Sequence, residues 1–103
     1  FSKLTGPIQE LLEALNAVNA LPKSAFKNRN MKKNLANKIN AAILAVNNAV
    51  NNDYSIAIAE LNDILKKING CADKGAPEPN DWIIDCAAQG TVYPHIVSAI
   101  NQL

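Results

Sequence analysis

The chain has 103 residues, a net charge of +1 and a hydrophobic fraction of 49%, enough for one small globular domain spanning residues 1–103. No apolar run approaches the roughly 20 residues of a membrane-spanning helix, so membrane insertion is not expected. Aliphatic residues far outnumber aromatic ones, which favours packed helices over a sheet. The chain opens Phe-Ser-Lys without a leader-like segment, and we expect a processed product or a C-terminal module of a longer secreted protein.

The first predicted helix begins at Pro7, a residue that suits a first helical turn, with Thr5 or Gly6 as its cap. It should end before Pro22, since the residue preceding a proline disfavours helical geometry. Its apolar stripe consists of Ile8, Leu11, Leu12, Leu15 and Val18.

The second and longest helix is predicted from Asn28 or Asn30 to about Asn51, followed by a turn and cap that include Asn52 and Asp53. A third helix follows at once and ends at the stop signal Asn69-Gly70. The apolar stripe of the second helix consists of Met31, Leu35, Ile39, Ala42, Ile43, Val46 and Val50. That of the third helix consists of Tyr54, Ala57, Ile58, Leu61, Ile64, Leu65 and Ile68.

A short helix is predicted from Trp82 to about Ala88, capped by Asn80 or Asp81 and broken at residues 90–91. A last helix carries Pro94 in its first turn and Val92, Ile96, Ile100 and Leu103 on one face. The predicted fold is therefore all-α, a four-helix bundle-like domain with one additional short helix and a disulfide-closed loop.

Cys71 and Cys86 flank a segment rich in proline and glycine, and we expect them to form a disulfide. A loop of this size gains about 3 kcal/mol from such a bridge. Free buried thiols or metal ligands are the alternatives, but His95 is the only histidine, so one chain lacks a four-ligand zinc set. A disulfide favours an oxidising, extracellular or cell-surface location.

The charge is unevenly distributed along the chain. Residues 14–52 hold six basic residues and no acid, whereas residues 53–103 hold seven acids and three lysines. The basic and acidic parts of the chain could pack side by side within one domain, could join copies of the chain, or the basic part could bind an anionic polysaccharide. Nucleic acid is not expected as a partner, because the sequence has no recognition motif for it. The candidate binding surface comprises Lys23, Lys27, Arg29, Lys32, Lys33 and Trp82.

Trp82 also has a plainer interpretation, in which its indole packs over the disulfide and the nearby helix ends. His95 has no serine or cysteine nucleophile in a recognisable context, and we predict no catalytic residues, no enzyme activity and no cofactor. We expect no metal site, although four acids near the loop offer a weak calcium alternative: Asp73, Glu78, Asp81 and Asp85. Asp81 and Asp85 are equally explained as acids at a helix N-terminus.

Six segments of the chain carry a resemblance to a known family: residues 26–30, 35–41, 52–61, 64–67, the run from Gly70 to Cys86, and Val92-Tyr93-Pro94. Together, across residues 8–103, they resemble the FIMAH-type helical module found at the C-termini of large secreted bacterial proteins. The resemblance extends to cysteine-containing variants of that module. It implies an extracellular, non-catalytic accessory module appended to enzymes, adhesins or other surface proteins. As partner we expect a protein, a cell-surface polysaccharide or other copies of the chain.

The expected function is thus binding, spacing or attachment in a bacterial surface or secreted protein. One alternative is a contact domain in a repetitive extracellular assembly. A lower alternative is a helical inhibitor-like protein, similar only in architecture to plant invertase and pectin-methylesterase inhibitors.

Overall fold

The computed structural model describes residues 6–51 and 53–103. Within them the chain is all-α, as predicted, with five α-helices and no strand. Each of the four long helices packs against two others, so that α1 contacts α2 and α5, and α3 contacts the same two. The elements are α1 (Pro7–Ala20), a 3-10 turn (Lys23–Ala25), α2 (Arg29–Asn47), α3 (Ser55–Leu65), α4 (Gly70–Lys74) and α5 (Cys86–Asn101).

The core is built from the apolar stripes of the four long helices. Leu12 departs from the predicted stripe of α1, since its side chain is exposed and Ala14 is buried instead. Burying one large aliphatic side chain stabilises the fold by about 1.5–3 kcal/mol. The large apolar residues fully withdrawn from solvent are Leu11, Val18, Leu35, Ile39, Leu61, Ile64, Ile68, Ile83, Val92 and Ile96.

The second helix begins as predicted and ends earlier than predicted. Asn28 is its N-cap, with a side-chain oxygen that accepts the backbone N–H of Asn30 at 3.0 Å. The helix stops at Asn47 because the chain then turns, with Asn51 in the left-handed region at φ 56°. Val50 therefore leaves the apolar stripe and is 71% exposed. Two residues named above, Thr5 and Asn52, lie outside the described residues.

The prediction of a short helix from Trp82 to Ala88 was wrong. Residues 82–84 instead pair with the chain before α2: the N–H of Lys27 donates to the Trp82 carbonyl at 2.9 Å, and the N–H of Ile84 donates to Ala25 at 2.8 Å. An isolated antiparallel bridge joins Phe26 and Ile83 between them. These long-range bonds hold the segment extended.

The last helix is longer than predicted. It begins at Cys86 and runs through Gly90 and Thr91, the predicted break, so Pro94 lies inside it and not in its first turn. Burial of Ala88 and Val92 on either side of the break holds the helix together. The additional short helix is α4, which starts where we predicted a stop.

The two described ends of the chain lie side by side, because α1 and α5 are neighbours. A Cβ added to Gly6 would lie 3.2 Å from Oε1 of Gln102. The molecule measures 39 × 24 × 22 Å. No helix in the described part of the chain has both the length and the apolar character that a membrane crossing requires.

Candidate functional site

The predicted disulfide is present. Cys71 lies in α4 and Cys86 is the first residue of α5; their Cα atoms are 5.5 Å apart. The bridge therefore ties the short helix α4 to the first residue of α5.

Asp81 organises the loop inside this bridge. Its side chain is fully buried, and Oδ2 accepts hydrogen bonds from the backbone N–H of Gly70 at 3.1 Å, that of Glu78 at 2.9 Å and Nε2 of Gln89 at 2.8 Å. These three bonds compensate Oδ2 for the water it loses on burial, whereas Oδ1 is buried without a hydrogen-bond partner among the described residues. Gly70 has to lack a side chain, since an added Cβ would lie 2.7 Å from the carbonyl oxygen of Ala76.

Gln89 completes this network, and sequence analysis missed it. The side chain is buried, with Oε1 accepting the N–H of Cys71 at 3.0 Å and Nε2 also donating to the carbonyl of Ile83 at 2.7 Å. The available signal was its position, since Gln89 lies three residues before Val92 on the apolar face of the last helix. A polar residue on such a face calls for buried partners.

The four acids of the calcium alternative have separate protein partners. Asp85 caps α5 by accepting the N–H of Ala88 at 2.9 Å, and Glu78 pairs with Lys74 at 2.8 Å. Asp73 accepts from the side chain of Asn69 at 3.0 Å. These acids are absent from the ligand clusters found among the described residues, where Glu10, Glu13 and His95 form the one group of three.

Four of the five basic residues of the candidate surface, all except Lys27, surround a shallow depression beside the N-terminus of α2. This basic depression has a volume of about 440 Å³. Alanine 36 is its one apolar lining residue. The lining consists of Asn19, Lys23, Arg29, Asn30, Lys32, Lys33 and Ala36.

The cations of the candidate surface differ in what they already bind. Nζ of Lys27 donates to the carbonyl of Pro79 at 2.7 Å, and Nζ of Lys32 donates to that of Leu21 at 2.7 Å. Within residues 6–51 and 53–103, the charged ends of Lys23, Arg29 and Lys33 form no ion pair or hydrogen bond. These three side chains are therefore free to bind an anion.

Trp82 lies apart from the basic depression. Its indole is partly buried against the core, with Nζ of Lys67 at 5.2 Å and Nζ of Lys38 at 5.9 Å from the ring centroid. Both lysines are within the range of a cation–π contact. Partial burial against the core favours a packing role for Trp82 over that of an exposed binding aromatic, while the predicted contact of its indole with the disulfide stays a prediction.

His95 contacts two carboxylates of α1. Nδ1 lies 2.8 Å from Oε1 of Glu10 and 3.4 Å from Oε1 of Glu13, and all three side chains are partly exposed. This group joins the first and last helices of the described chain.

No protein-family model, curated protein or solved structure matches this chain. The resemblance to FIMAH-type modules therefore stays a prediction, and function has to be argued from the sites themselves.

Proposed function

We infer that this chain is a non-catalytic extracellular module of a bacterial surface or secreted protein, which attaches that protein to an anionic cell-surface polysaccharide. The observation that carries the proposal is the basic depression, in which three cations have no partner among the residues that the structure describes. The disulfide supports an extracellular location because such bonds persist in oxidising compartments.

Two features of the depression favour a polyanion. No acid occurs between residues 14 and 52, so nothing in that part of the sequence neutralises the six basic residues there. Arg29 and Asn30 are the first residues of α2, whose N-terminus carries a partial positive charge.

The lining also favours a polysaccharide over a protein. Protein interfaces centre on buried aromatic and large apolar side chains. The basic depression has none of these among its lining residues, and Trp82 is not part of it. Long, exposed cationic side chains around a shallow surface suit the spaced carboxylate or phosphate groups of an acidic polysaccharide.

The test is titration of the protein with polygalacturonate as the acidic probe and dextran as the neutral one, followed by pull-down with cell-wall material. We expect binding to polygalacturonate at low ionic strength that weakens as salt is added. The variant K23Q/R29Q/K33Q should bind about tenfold more weakly or worse, with a smaller salt dependence.

A matched control removes the same charge from the other half of the chain, in the variant K66Q/K67Q/K74Q. Its affinity for polygalacturonate should stay close to that of the unmodified protein. If the unmodified protein binds neither polygalacturonate nor cell-wall material, recognition is contradicted and a spacer role is left.

A second candidate function, contact between copies in an extracellular assembly, rests on a different observation. Val50 and Ile56, each 71% exposed, line one depression at the α2–α3 end of the molecule, and Leu44 is 60% exposed. Light scattering at high protein concentration tests it. A monomer at low salt would count against assembly, whereas association lost in I56D would support it.

A further inference from the structure

A group of potential metal ligands lies where α1 packs against α5, away from the basic depression. Glu10 and Glu13 are three residues apart on α1 and so share one face of that helix. His95 projects toward them from α5. One ligand atom from each side chain lies within 4.8 Å of the other two.

A simple ion pair explains only part of this arrangement. One ring nitrogen of His95 faces two carboxylates, and a single N–H satisfies one of them well. The two glutamates carry like charges one helical turn apart, which is unfavourable without a cation. In the described part of the chain, neither glutamate pairs with a lysine or arginine.

We propose that Glu10, Glu13 and His95 bind a divalent transition-metal ion of the Zn²⁺ class. Imidazole nitrogen and carboxylate oxygen are both ligands that Zn²⁺ accepts, at metal–ligand distances of about 2.0–2.2 Å. In a tetrahedral site those distances separate neighbouring ligand atoms by about 3.4 Å. The 3.4 Å between His95 and Glu13 already fits, and the 2.8 Å between His95 and Glu10 needs only a small opening.

The surroundings hold the ligands in place. Leu11 and Ala14 on α1 are fully buried, as are Val92 and Ile96 on α5, so the two helix backbones are fixed on both sides of the group. Nε2 of Gln9 donates to Oε2 of Glu13 at 3.0 Å. This bond orients the carboxylate as outer hydrogen bonds do in metal sites.

Access for an ion and for a water ligand is also provided. The side chains of His95, Glu10 and Glu13 are 33%, 27% and 45% exposed. Three protein ligands leave one tetrahedral position for water. The bound ion would join the first and last helices of the described chain, and this role is independent of polysaccharide binding.

The test is calorimetric titration of metal-stripped protein with ZnCl₂, together with thermal unfolding with and without Zn²⁺. We expect one ion per chain and a higher unfolding temperature when Zn²⁺ is present. The variants H95A and E10Q should bind Zn²⁺ about 100-fold more weakly or worse, and Q9A about tenfold more weakly. The matched control E60Q, which removes a partly exposed acid from α3, should bind as the unmodified protein does.

E13Q separates a metal site from an ion pair, because it leaves the shorter contact between His95 and Glu10 intact. A metal site predicts weaker Zn²⁺ binding and loss of the visible absorption of Co²⁺ bound at the same position. The proposal is overturned if the unmodified protein binds no Zn²⁺, or if E13Q and H95A bind it as tightly as E60Q.

Discussion

The connections that follow α2 and α3 are held in one conformation by different kinds of contact. The described residues between α2 and α3, 48–51 with 53 and 54, are held by local bonds. The Asp53 N–H donates to Val50, and the Asp53 carboxylate accepts the backbone N–H and hydroxyl of Ser55. Residues 66–85, between α3 and α5, are held by a disulfide, a buried carboxylate and a bridge to Phe26.

The difference follows from the cost of order. Fixing the backbone of one residue costs about 1–2 kcal/mol, so a short turn needs little support while a long segment needs ties from elsewhere. In the long connection those ties come from Gln89 and Phe26, which lie outside it in sequence. The conformation of the longer connection is therefore determined by contacts with residues outside it.

The largest expected effect is on the free energy of unfolding, when removal of Asp81 from the long connection is compared with removal of Asp53 from the short one. D81A should lower the free energy of unfolding by about 4 kcal/mol, because three buried N–H groups lose their acceptor. D81N keeps one acceptor oxygen and should lie between D81A and the unmodified protein. D53A removes an exposed carboxylate and should have a much smaller effect. Urea denaturation measures all three; equal losses for D81A and D53A would contradict the comparison.

Removing the disulfide should have the next largest effect. The variant C71A/C86A is expected to lose about 3 kcal/mol, since the unfolded chain is no longer constrained. Hydrogen exchange should quicken at the amides of Gly70 and Cys71, whose acceptors are Asp81 and Gln89. The amide of Ile58, which donates to Tyr54 at the other connection, should exchange faster only to the extent that global unfolding becomes easier. Faster exchange confined to Ile58 would count against the assignment.

The smallest effect concerns an exposed pair that joins α2 to α3. Nζ of Lys38 donates to Oδ2 of Asp63 at 2.6 Å, and this hydrogen bond holds the pKa of the Asp63 carboxyl below its usual 3.8. Such a group stabilises the fold at pH values above 3.8, and the contribution is lost as the pH falls through the lowered pKa. D63N should cost less than about 1 kcal/mol near neutral pH and nothing in strong acid. A loss of equal size at pH 2 would show that the pair is not its cause.

Helical periodicity was sufficient to predict the fold class and most of the core. Residues such as Leu35, Ile39 and Leu61 recur at helical spacing and are buried as that spacing predicts. The disulfide was also predictable, because two cysteines flank a segment with few helix-forming residues.

The extended segment at Trp82 could not be predicted in the same way. Its sequence is compatible with a helix, and its conformation is set by bonds to Ala25, Lys27 and Lys67, which are distant in the chain. The binding surface has the same limit. Sequence identifies the cations, but only tertiary contacts show that Lys27 and Lys32 are engaged, whereas Lys23 has no partner in the described part of the chain.

The closeness of Gly6 and Gln102 has a mechanical consequence. A domain whose two ends lie close together can be inserted into a surface loop of another domain as readily as it can be fused to that domain's terminus. Tension between these two points would also peel α1 away from α5 one contact at a time, instead of shearing the two helices along their length. Glu10, in the first turn of α1, would be among the first residues to be loaded, so a bound Zn²⁺ ion would resist the separation at its outset.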